Sequence, residues 1–177
     1  MLENEKITAP EVSNHNLSKI LVPIDGSEPS TEALEFAVDL AAKYKSKICI
    51  VNVIPTYQIC HWLTISDGIF CSDSLFVPSV IMREMEKESE SLLVSALTLV
   101  QSIGIESYAM MGKGYPANEI VRIAKEENVD LIVIGSNNPS LFARLLFGSI
   151  SHSVARRAPC PVLIVKREKH HENRNNK

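Results

Sequence analysis

Four residues hold the clearest chemical potential in this chain: Gly135, Asn138, Gly148 and Ser149. Gly135 ends the apolar run Leu131–Ile134, and Gly148-Ser149 opens a helical pattern that reaches Arg157. A short β-branched run that stops at a glycine reads as a buried parallel strand. A helix start offers unpaired backbone N–H groups and the positive end of the helix dipole, so it suits an anion. Strand, loop and helix N-terminus together supply what a phosphate needs. The same order also makes an ordinary turn in many α/β proteins, so further residues must decide.

Asp25, just past the apolar run Lys19–Pro23, is the second candidate. Its carboxylate can accept a ribose hydroxyl or hold Mg²⁺ through water. The competing reading is a turn or helix-cap residue. Arg144 can steer phosphates or simply be a solvated surface arginine, and His152 reads as surface. Cys60-His61 with Cys71 lacks the paired spacing of a metal site. Gly112-Lys113-Gly114 lacks the G-x4-G-K-[ST] spacing of a phosphate loop and reads as a turn. Cys49 and Cys160 read as small buried apolar residues, and His170-His171 as solvated tail. No Ser-His-Asp order and no paired carboxylate stands out.

These residues need elements to position them. Strands are expected at Lys19–Pro23, Lys47–Ile54, Ile105–Met111, Leu131–Gly135 and Val162–Val165. Ser27 is the expected N-cap of a helix whose Ala33, Leu34, Ala37, Val38, Leu40 and Ala41 recur with a period near 3.6. A long helix is expected over Val80–Ile103, with Leu92, Leu93, Ala96, Leu97, Leu99, Val100 and Ile103 toward the sheet and Glu84, Glu86, Glu88 and Glu90 in solvent. Gly104 would stop it. A third helix buries Ala117, Ile120, Val121 and Ala124, and a fourth spans Ser149–Arg157. Strands alternating with helices imply right-handed crossovers. The expected fold is α/β: a doubly wound, five-stranded parallel sheet, Rossmann-like, in the order 3-2-1-4-5, with helices on both faces. Ligands of such sheets bind beyond the carboxyl ends of the strands, where the winding reverses. The first and fourth strands flank that point, which brings Asp25 near Gly135, with Val53 at the end of the second strand.

With 177 residues the chain fits one domain. By composition, residues 1–17 read as a disordered leader, 18–166 as the domain with a variable insertion at 56–79, and 167–177 as a charged tail. A net charge of −3 argues against a nucleic-acid footprint over the whole surface. No apolar run nears the roughly 20 residues of a membrane span. Scattered cysteines without an export signal suggest reduced thiols and a cytoplasmic protein.

Lys19–Ser27, Gly112–Ala117 and above all Asp130–Val165 resemble the universal stress protein family. Its nucleotide-binding members carry G-x2-G-x9-G-[ST], followed by a helix and an A-P-C-P-V-L-[IV]-V ending. Gly135 matches the first glycine, Gly148 the third and Ser149 the serine, while Ala158–Val165 matches the ending. Asn138 stands where the second glycine would be. Asn is the least costly replacement in a left-handed conformation, but Pro139 pushes it toward extended backbone.

The resemblance implies an ATP, ADP or AMP site, with or without Mg²⁺. Pro23, Ile24, Asp25 and Val53 would line the adenosine part. Gly135, Asn138, Gly148, Ser149, Ile150 and Ser151 would meet ribose and phosphates. It further implies a homodimer through Val162–Val165, which also resolves a bare apolar sheet edge. Three functions follow in order: an adenine-nucleotide switch in the stress response acting on a signalling partner; a nucleotide-free adaptor of the same fold; and, weakest, an enzyme with slow ATP hydrolysis. The lysine, metal-binding hydroxyl and water-orienting residue of fast phosphoryl transfer have no counterpart.

Overall fold

The computed structural model describes residues 17–56, 79–136 and 149–166. The elements run β1 (Lys19–Pro23), α1 (Glu28–Tyr44), β2 (Lys47–Ile54), α2 (Ser79–Ser102), β3 (Ser107–Lys113), α3 (Pro116–Glu126), β4 (Leu131–Gly135), α4 (Ser149–Arg157) and β5 (Val162–Val165). The five strands form one parallel sheet in the order β3-β2-β1-β4-β5, as expected from the sequence.

The side-chain alternation of each strand feeds two cores. Ile20, Val22, Ile48 and Ile50 pack with α1 and α2 through Ala33, Ala37, Leu93 and Val100. Leu21, Cys49 and Val51 point the other way, against Ile120, Ile123 and Ala124 of α3 and Val154 of α4. Because both faces are covered, the strands read as continuous apolar runs rather than as alternating ones.

Local chemistry sets the helix ends. Ser27 caps α1, its Oγ accepting the Ser30 N–H at 3.4 Å, with Pro29 in the first turn. The C-cap Lys45 takes a left-handed φ of 57°. Two expectations need correction. β3 begins at Ser107 and continues through Gly112 and Lys113, because its ladder with β2 pairs Ile48 with Ser107 and Ile54 with Lys113. Only Gly114 and Tyr115 remain to turn the chain into α3. Leu99 on α2 and Ile103, just past its end, are more than half exposed rather than core-facing. The buried stripe is Ser89, Leu93, Ala96 and Val100; Leu99 falls beside it at 100° per residue, and Ile103 lies beyond the end of the helix.

Candidate functional site

The winding reverses between β1 and β4. Their ladder registers only Ile20 with Leu131 and Leu21 with Ile132, whereas β1 and β2 pair over five positions. Beyond that short ladder, at the carboxyl ends of the strands, lies a cleft of about 530 Å³. This volume suits a small organic ligand. Of the ten residues proposed from sequence, eight line it: Pro23, Ile24, Asp25, Val53, Gly135, Ser149, Ile150 and Ser151. Asn138 and Gly148 lie outside the described residues, as do Arg144, the Cys60-His61-Cys71 set and His170-His171.

Asp25 is held from several sides. Its Oδ1 accepts the Ser27 N–H at 3.0 Å and the Ser27 hydroxyl at 2.5 Å, closing a small turn between β1 and α1. The competing reading is therefore met in part: Ser27 is the cap, and Asp25 braces the turn while lining the cleft. The peptide group leading into Asp25 is gripped at both ends. Its carbonyl oxygen, on Ile24, accepts from Asn52 Nδ2 at 2.7 Å, and its N–H donates to Ser30 Oγ at 3.3 Å. Ser89 of α2 donates to Asn52 Oδ1 at 2.6 Å. Neither Asn52 nor Ser89 was expected at the site, although a polar Asn inside the apolar run Ile48–Ile54 was a visible signal.

The electrostatics are uneven. Among the described lining residues the charged ones are Asp25 and Glu88, both acidic. Glu88 is exposed, as expected of it, while Glu86 pairs with Lys113 at 2.6 Å. Positive potential comes from the start of α4, where Ser149, Ile150 and the buried Ser151 meet the cleft. Gly135 has a reason to be glycine that sequence spacing did not reveal. A Cβ there would lie 2.2 Å from the Pro29 carbonyl oxygen, because the first turn of α1 rides directly over the end of β4.

At the opposite end of the sheet a second polar cluster forms. Tyr108 donates to Glu127 Oε2, which also accepts from Lys19 Nζ at 3.2 Å. Lys19 further donates to the Glu127 carbonyl at 2.6 Å and sits 5.8 Å from the Tyr108 ring centre. These hydrogen bonds lower the Glu127 carboxyl below its usual range, the Tyr108 one most. Burial pushes the Tyr108 hydroxyl well above its ordinary value. Burial also pushes the Cys49 thiol up to about 11. Asp130 Oδ2 accepts the N–H groups of Ser18 and Lys19 at 2.8 and 2.9 Å. Cys49 is fully buried as expected, while Cys160 is only half-buried.

A doubly wound parallel sheet in the order β3-β2-β1-β4-β5, with helices on both faces, defines the Rossmann-like α/β class. The sequence matches the universal stress protein family over residues 16–62 and 72–166, and the chain belongs to that family. It is 35% identical over 154 residues to universal stress protein YxiE of Bacillus subtilis, covering 84% of this chain and 99% of that protein. Solved structures agree in fold. The protein MJ0577 of Methanocaldococcus jannaschii matches with a TM-score of 0.69 at 24% identity, covering 86% of this chain and 98% of that one. A universal stress protein solved in complex with cAMP matches at 0.60 and 25%, covering 85% and 97%. An Arabidopsis thaliana family member solved with AMP bound matches at 0.57 and 19%, covering 86% and 93%. No helix among the described residues is long and apolar enough to cross a membrane.

Proposed function

We propose that this universal stress protein binds an adenine nucleotide in the cleft between β1 and β4 and acts as a nucleotide-dependent switch in the stress response. The observation that carries the reading is the convergence of a braced carboxylate, Asp25, with the N-terminus of α4 across one cleft of about 530 Å³. Asp25 would accept the ribose hydroxyls, and the Val53 main chain would meet the adenine edge. Ser149, Ile150 and Ser151 would receive phosphate together with Gly135, Asn138 and Gly148. The AMP and cAMP complexes of related folds support the ligand class.

No group of three or more His, Cys, Asp and Glu able to hold a metal occurs among the described residues. Mg²⁺ would therefore arrive on the phosphates of ATP, with Asp25 reaching it through water. We further propose a homodimer through β5, which occupies one edge of the sheet and carries only half-buried side chains.

A melting series tests the reading. Nucleotide at 100 times its dissociation constant adds about 2.7 kcal/mol to stability. A rise in melting temperature with millimolar ATP, ADP or AMP, with or without Mg²⁺, is expected, as is retained nucleotide by mass spectrometry of the purified protein. A flat series favours the second reading, a nucleotide-free adaptor. That reading draws on Gly135, whose lack of a side chain is already required by Pro29 and needs no phosphate to account for it.

A further inference from the structure

The proposed switch gives no role to Asn52 and Ser89, two cleft residues that join β1, β2 and α2 by hydrogen bonds. We infer that Asn52, held by Ser89, is a positioning residue that sets Asp25 for a ribose diol. This rests on the adenine-nucleotide reading and deepens it.

The geometry points one way. The Ile24 carbonyl only accepts, so it selects the Nδ2 end of the Asn52 amide, 2.7 Å away. That choice turns Oδ1 toward α2, where the Ser89 hydroxyl closes on it at 2.6 Å. Ser89 is only 4% exposed, and Asn52 is half-buried at the cleft wall. The same Ile24–Asp25 peptide has its N–H taken by Ser30 Oγ, and the Ile24 N–H donates to the Val51 carbonyl at 2.8 Å. Rotation of this peptide would swing the Asp25 side chain, and Asn52 is the side chain that holds its carbonyl end. A plain structural tie between β1 and β2 was already available from the ladder, which pairs Pro23 with Val51. The relay instead acts one residue before the carboxylate and anchors it to α2, a separate wall of the cleft.

The test compares ATP with 2′,3′-dideoxy-ATP, both with Mg²⁺, by titration calorimetry on the full chain. Wild-type protein is expected to prefer ATP by about tenfold, the worth of a hydrogen bond to a charged acceptor. Asn52→Leu should reduce that preference to less than about threefold, and it should weaken dideoxy-ATP far less than ATP. Ser89→Ala, a smaller change that decides alone if Asn52→Leu does not fold, should bring the preference to an intermediate value. If both variants fold and keep the tenfold preference, the positioning role is wrong. If wild-type protein binds the two nucleotides equally, nucleotide binding stands and the inference fails. If it binds neither, the adenine-nucleotide reading fails and the inference goes with it.

Discussion

The two ends of the sheet use the same kinds of groups for different ends. At the amino ends of the strands, Lys19, Tyr108 and Glu127 satisfy one another, and Asp130 takes two backbone N–H groups. At the carboxyl ends, Asp25 is braced through Oδ1 but borders open volume, and α4 begins at the cleft wall. A polar cluster that closes on itself stabilises the fold. One held rigid at the rim of a cavity is prepared to exchange water for a ligand, because its ordering cost is met before binding. The reversal of winding makes the difference. Strands β1 and β4 lead to helices on opposite faces, so the crossovers diverge and leave a crevice above the strand ends.

The largest expected effect would blur this contrast. Gly135→Ala puts a Cβ against the Pro29 backbone, and overpacking of that kind costs about 1–3 kcal/mol or more. Urea unfolding should show a large drop in midpoint, so a residue at the open end would prove to be a packing residue. Next, Asp25→Asn should weaken ATP about tenfold, roughly 1.4 kcal/mol, while the urea midpoint changes little, since an amide oxygen still accepts from Ser27. Loss of stability with unchanged affinity would place Asp25 with the closed cluster.

Glu127→Gln should do the reverse, costing about 1 kcal/mol of stability and leaving ATP affinity as it was. The sign with pH follows from its lowered carboxyl. A carboxyl depressed on folding contributes fully above its unfolded pKa, and the contribution fades as pH falls through the folded one. Wild-type stability should therefore fall below about pH 4.5 more steeply than that of Glu127→Gln, followed by urea midpoints across pH 3–6. The smallest effect concerns Cys49. Its thiol, raised to about 11, stays protonated when the unfolded chain ionises. Stability should slip as pH rises from about 9 toward 11, and iodoacetamide should label Cys49 only after unfolding, read by peptide mass spectrometry. Labelling in the native state at pH 8 would mean the closed end opens.

Much of this was legible beforehand. The apolar runs at Lys19–Pro23 and Leu131–Gly135, the Ser27 cap and the α4 boundaries came out as expected, because period and capping are local properties. The extent of β3 was not, because its last two residues are strand only by virtue of pairing with Val53 and Ile54. Leu99 misled for a related reason. On a 24-residue helix wider than its contact stripe, apolar character alone does not say which side meets the sheet.

Sequence by itself determined the class of fold, the order of its elements and the family, since each is written in residue type and spacing along the chain. Tertiary structure alone decided that Asn52 and Ser89 join the site, that Gly135 answers to Pro29, and that Lys19, Tyr108 and Glu127 close on each other. Those pairs lie 37, 106 and up to 108 positions apart. No local pattern encodes such a distance; only the parallel crossovers that stack the strands bring these groups within hydrogen-bond or van der Waals reach.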